Sequence, residues 1–302
     1  MNNQSNAIPG SLTEEHVTVS RMAPVHPFLW SVRRELWEYK SIYIAPLAVA
    51  AVTLLGYLFA SMGYALSTQD LARRRSALTE PFHFATALIM GAAFIVGVFY
   101  CLDALHGERR DRSILFWKSM PVSDLTTVLA KATIPLVVLP LLSFVITLAT
   151  HFIMLLLSTA VLAGSGLDTA TLWSEAWNSD LGLFYHLMTV HVLWYAPTYA
   201  WLLLVSAWAK RAAFIWAALP PLAIFAIERV AFRTRHFADL LLYRLTGPDE
   251  YAMGEQGHHA AHSFVHHGLG HFLLTPGLWN GLILATLFLW LAVRLRRSQG
   301  PI

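Results

Sequence analysis

The sequence predicts an all-α integral membrane protein with six transmembrane helices, and three observations carry that expectation. The 302-residue chain is 56% hydrophobic and only 13% charged, with a mean hydropathy of +0.53, far from an ordinary soluble domain. Six stretches without Asp, Glu, Lys or Arg approach or exceed the roughly 20 apolar residues that cross a hydrocarbon core about 30 Å thick. Lys and Arg, finally, gather on one side of the spans so defined, as short cytoplasmic loops require.

The uncharged runs are Ile42–Leu66, Phe82–Leu102, Ala132–Ala163, Leu181–Ala209, Ala212–Ile227 and Phe272–Val293. They place spans at about 42–66, 82–105, 132–163, 181–209, 212–228 and 272–295, inside a transmembrane domain over 42–297. The third run is long enough that its helix must tilt or protrude, and Pro135 and Pro140 allow a kink near one end. The fifth carries Pro220 and Pro221, which remove backbone donors, so this span is expected to end early or break. With the N-terminus inside, fourteen of the twenty-one Lys and Arg fall on inner segments, so both termini are expected in the cytoplasm. Arg73, Arg74 and Arg75 run against the rule, whereas Gly164–Asp180, with Asp168, Glu175 and Asp180 and no cation, suits an outer loop.

Ahead of the first span, residues 1–25 read as a polar tail. Residues 26–41 read as an amphipathic helix in the cytoplasmic interface, with Leu29, Val32, Leu36 and Trp37 near one face and Arg33, Arg34, Glu38 and Lys40 mostly elsewhere. The alternative is an extended start of the first span. Residues 228–271 form the largest outer segment, where the mixed charged and apolar pattern of 229–247 predicts a second interfacial helix closed by Gly247 and Pro248. The first forty residues lack the short apolar core of a cleavable signal, so none is expected. Cys101 is the single cysteine, which excludes an intrachain disulfide framework.

Several chemistries are excluded. The sequence has no Gly-Lys pair and so no phosphate-binding loop, and HExxH, GxSxG and CxxC are absent. Cations are scattered at span ends, so no nucleic-acid partner is expected. The sharpest cluster of one residue type is His258, His259, His262, His266, His267 and His271. On a helix His258, His262 and His266 share a face and can hold Zn or Cu. A partly solvated His-rich helix without a ligand, or a proton sensor, fits the same pattern. The spacing also matches one histidine box of membrane di-iron enzymes, but the further boxes are missing. His151, His186 and His191 lie in or near apolar runs, where a neutral His bonded between helices competes with a functional role.

The charge-dense stretch Glu108–Asp124 interrupts the apolar chain between the second and third spans. Pro121 breaks it, Ser123 is a candidate N-cap, and Asp124 puts a negative charge in the first turn of the following helix. The run HGERRDRSILFWKSMPVSDLTTVLAKA, residues 106–132, resembles the first cytoplasmic loop of bacterial ABC-2 type permeases, the membrane subunits of exporter-like ATP-binding-cassette systems. The layout of spans resembles that family over about residues 26–297.

The resemblance implies a cytoplasmic coupling helix between spans two and three that docks on a separate ATPase chain. Glu108, Arg109, Arg110, Asp111, Arg112 and Lys118 are then expected to make charged contacts, and Ile114, Leu115, Phe116 and Trp117 to anchor the loop. It also implies that the N-terminal helix, with Arg33, Arg34, Glu35 and Trp37, leans on the same partner. The expected assembly is two permease subunits, identical or different, with two ATPase chains in the bacterial inner membrane. ATP and Mg belong to the partner, this chain carries no cofactor or catalytic residue of its own, and the cargo is hydrophobic or amphipathic. Two other classes stay open: a metal-dependent membrane oxidoreductase using the His258–His271 cluster, and a membrane sensor or structural protein that does not transport.

Overall fold

Long apolar runs leave the backbone no partner but itself, and the described residues accordingly form helices with no strand among them. The computed structural model describes residues 27–61, 63, 70–120, 122–162, 169–246 and 272–300. The His cluster at 258–271, and with it His258, His262 and His266, lies outside them, as do residues 1–25 of the tail.

Helix α1 (Pro27–Glu38) is separate from α2 (Ser41–Gly56), with Tyr39 and Lys40 between them. Pro27 stands at its start, where a missing N–H costs nothing. Helix α3 (Leu71–Ala104) passes through Pro81 and leads into a short α4 (His106–Arg110) and α5 (Ile114–Ser119). Helix α6 (Asp124–Thr133) begins on Ser123, whose extended backbone and side-chain oxygen, accepting from the Thr126 N–H at 3.0 Å, make the anticipated N-cap. A π-helical turn at Ile134–Val138, containing Pro135, joins α6 to α7 (Leu139–Leu162).

Helix α8 (Thr169–His186) runs through a second π-turn, Leu187–His191, into the single turn α9 (Val192–Trp194). Helices α10 (Ala196–Trp208), α11 (Ala213–Ile227), α12 (His236–Thr246) and α13 (Pro276–Ser298) complete the described chain. Helix α12 covers only part of the helix expected over 229–247, because residues Glu228–Phe232 continue α11 as a π-helical turn.

Among the described residues five stretches are long and apolar enough to cross a membrane: Ser41–Ala60, Glu80–Arg110, Asp124–Ala160, Ala213–Phe232 and Pro276–Ser298. The fourth expected span is not one straight helix. Leu172–Trp194 and Ala196–Trp208 meet at a 50° bend, and only if this pair counts as one span does the number reach six. Pro197, in the first turn of α10, lacks the N–H that would continue the helical ladder across the bend.

The expectation of a broken fifth span is corrected: α11 continues through Pro220 and Pro221. Pro221 leaves the Ala217 carbonyl without its helical donor, and the indole N–H of Trp201 on α10 donates to that oxygen at 3.2 Å. Asp180 is likewise not in a loop but buried on α8.

The principal core joins α2, α3, α10, the Ile134–Val138 turn and the start of α7 through Ile42, Tyr100, Ile134, Leu139, Tyr199 and Leu203. Helices α10 and α13 approach closely because Ala196, Ala200 and Ala285 face one another. At Gly97 an added Cβ would lie 3.2 Å from the Tyr199 ring, so a side chain there would need that ring to shift by a few tenths of an ångström. Large apolar side chains such as Phe59, Phe84, Ile95, Phe214 and Ile283 remain exposed on the outer surfaces of the apolar helices, as lipid-facing side chains are.

Candidate partner-docking site

The short turn between α3 and α6 is fixed from below by buried charges. Glu35 on α1 and Glu108 on α4 are both nearly inaccessible, and Lys131 on α6 lies between them. The Lys131 ammonium donates to both Glu35 oxygens, at 2.9 and 3.1 Å, and stands 3.1 Å from Glu108. Arg34 Nη2 donates to Glu35 at 2.6 Å and to Glu108 at 2.8 Å. The second Glu35 oxygen also accepts the Tyr100 hydroxyl at 2.8 Å, and the second Glu108 oxygen accepts from Arg296 on α13. Arg296 in turn pairs with Asp124 at 3.1 Å.

Three cations meet three carboxylates there, with the half-exposed Glu38 also 3.5 Å from Arg34, and the network ties α1, α4, α6 and α13 to one point. Such pairing matters because an unpaired buried charge costs several kcal/mol. Burial opposes the Arg34 charge, but the carboxylates of Glu35 and Glu108 outweigh it and raise its pKa above the usual guanidinium value. Glu38 at the end of α1 moves up because of burial and the repulsion of Glu35.

Arg109 makes the second attachment. Its guanidinium donates to the Ala207 carbonyl at 2.5 Å and the Ala209 carbonyl at 3.3 Å, while Nε reaches the Gly300 carbonyl at 3.4 Å. Ser206 accepts the backbone N–H groups of Leu105 and His106 at 3.0 and 2.9 Å. Lys118 donates to the Gln299 carbonyl at 2.9 Å. The loop is thus clamped to the end of α10 and to the segment after α13.

Above this base the chain turns sharply. Arg112 has φ of 60°, a left-handed conformation that ordinary side chains resist, and it separates α4 from α5. Helix α5 then buries Ile114 and half-buries Trp117, over whose ring the Arg34 guanidinium lies 3.7 Å from the centroid. Phe116 packs edge-on against Trp117 at 4.9 Å. Leu115 and Phe116 are left 59% and 58% exposed beside exposed Met120, Arg110, Asp111 and Arg112.

The residues expected to touch a partner therefore divide. Glu108 and Arg109 point inward, where their charges and donors are satisfied within the chain, and Ile114 belongs to the base. Arg110, Asp111, Arg112, Leu115 and Phe116 form the open face, with Lys118 at its edge. Arg110 pairs with Asp111 at 3.0 Å and approaches Asp103 at 3.5 Å. On α1, Glu35 is buried and Arg34 half-buried, whereas Arg33 lies exposed between Trp37 and Trp30, 4.6 and 5.5 Å from the ring centroids.

Lys131, Arg296 and Asp124 were missed as site residues. In sequence they read as topology markers and a helix cap. The available signal was Lys131 itself, a lone cation seven residues inside a helix that begins at Asp124. Also missed was the pair of His151 and Asp180, whose Nδ1 and carboxylate oxygen lie 2.6 Å apart between α7 and α8. Comparison with protein-family models, with curated proteins and with solved structures finds no match.

Proposed function

We propose that the chain is the membrane subunit of an ATP-driven exporter of hydrophobic or amphipathic compounds, its ATPase carried by a separate chain docked on residues 110–120. In this reading the subunit works as a dimer in a bacterial inner membrane with both termini cytoplasmic. One observation carries it: α5 presents Leu115 and Phe116 outward on a base fixed by buried ion pairs to four other helices. Apolar anchors with a charged rim are the composition of a compact interface. A rigid attachment is also what a lever needs, since a push on a floppy loop would not reach the helices.

The proposed cycle follows from the connections. Closure of the ATPase pair moves α5, and the Glu108 and Arg109 contacts pass the movement to α6, α10 and α13, biasing the bundle between two packings. The sequence resemblance of residues 106–132 to ABC-2 type permeases points to the same partner.

Co-expression with an ATP-binding-cassette ATPase chain from the same organism tests the reading. Phe116→Ala should cut retention of the ATPase on the purified membrane subunit by about tenfold or more, as removal of an interface anchor does. Arg110→Glu should weaken retention as well. Full retention and unchanged transport-coupled ATP hydrolysis in both variants would sink the assignment.

A further inference from the structure

At the far end of the same helices lies a cavity of roughly 80 Å³ between the start of α3, the second half of α7 and α8. Lys131 and His151 are twenty positions apart on the α6–α7 rod, so about 30 Å separates this cavity from the ion-pair network. One side is apolar, with Leu78, Phe82, Leu155 and Leu172, and the other carries His83, His151, Ser158, Glu175 and Ser179. The space admits several waters or one small polar group.

Behind His151 stands Asp180, 5% exposed, its carboxylate 2.6 Å from Nδ1. The opposite ring nitrogen is 3.1 Å from the Thr86 hydroxyl and 3.2 Å from the Phe82 carbonyl. The single Thr86 hydroxyl proton can go to the Phe82 carbonyl at 3.0 Å or to an unprotonated ring nitrogen, and both oxygens can accept from a protonated one, so the imidazole is held in place. A carboxylate in an apolar helix bundle is costly and marks a functional position by default.

Sign and shape together define the ligand. Among the described residues no Lys or Arg lines the cavity, while Glu175 lines it and Asp180 lies just behind. The carboxylates lining and backing the cavity therefore favour a cation over an anion at this spot. Among the described residues no group of three or more His, Cys, Asp or Glu is arranged to hold a metal ion, so an organic cation fits better than a metal. The Phe82 ring and the hydroxyls of Ser158 and Ser179 suit an alkylammonium, by cation–π attraction and by accepting its N–H bonds. Leu78, Leu155 and Leu172 can cover the adjoining methylenes.

We propose that this cavity binds the ammonium head of a cationic amphiphile, held by Glu175 and the His151–Asp180 pair. Calling that ligand a transported substrate rests on the exporter reading, but its binding does not.

The test uses the full chain in zwitterionic lipid nanodiscs with an octylammonium probe carrying a photoreactive diazirine. Labelled peptides are then mapped by mass spectrometry. Labelling is expected in segments 78–82 and 172–179, with displacement by plain octylammonium and none by octyl sulfate. Glu175→Gln combined with Asp180→Asn should reduce it about tenfold, and Ile283→Ala on a distant exposed face should not change it. Equal competition by octyl sulfate, label spread over the exposed apolar faces, or undiminished labelling of a folded double variant overturns the proposal. If the double variant does not fold, the competition on the unaltered chain decides alone. Absence of a co-purifying ATPase would count against the exporter reading and leave this result standing.

Discussion

Trp201 has two parts with separate duties: its ring packs against the principal core, and its N–H serves a carbonyl that Pro221 has freed. An unsatisfied carbonyl among apolar helices costs about 1–3 kcal/mol. Trp201→Phe keeps most of the ring and removes the donor, so it should lower stability by that amount, read as a shifted unfolding midpoint in detergent. Pro221→Ala restores the helical N–H and should recover most of the loss in the double variant. No recovery would mean that the indole acts by packing alone. The proline pair was legible in the sequence but its remedy was not, because the donor belongs to another helix.

The turn through Arg112 is the strained element of the proposed docking site. An L-residue in the left-handed region costs about 1–2 kcal/mol, and part of any gain from glycine is offset by the greater freedom of the unfolded chain. Arg112→Gly should therefore stabilise the protein by roughly 0.5–1 kcal/mol relative to Arg112→Ala, measured by thermal unfolding. The Ala variant isolates loss of charge from relief of the backbone, and equal stability of the two would show that the turn is unstrained.

Elements of this kind explain what could be read in advance. Uncharged runs marked the apolar helices, and Ser123 marked the start of α6, because both signals are local. The 50° bend and the inward turn of Glu108 were hidden because they depend on distant partners. Arg34 lies 74 positions from Glu108 and Arg296 lies 188 positions away. In sequence, Glu108 is one more charge in a charged loop.

Across the molecule, polar groups concentrate at two ends joined by helices α3 and α6–α7. One end is a closed ion-pair network under an exposed tip, and the other is a cavity backed by a His–Asp pair. Between them helices α3 and α6–α7 run through largely apolar packing that also buries Ser143 and Thr147 on α7, so a displacement at one end can be passed along these helices toward the other. The network must then behave as a unit, and a double-mutant cycle measures that. Lys131→Met leaves Glu35 and Glu108 short of a buried counter-charge, and Glu35→Gln leaves Arg34 and Lys131 with excess positive charge. Each single change should destabilise by about 3–5 kcal/mol. The double variant restores neutrality to what remains, so its cost should fall short of the sum by about 1–3 kcal/mol. Strict additivity would mean that the two charges do not sense one another, and the base of the proposed docking loop would then be a set of independent contacts without the stiffness a lever requires.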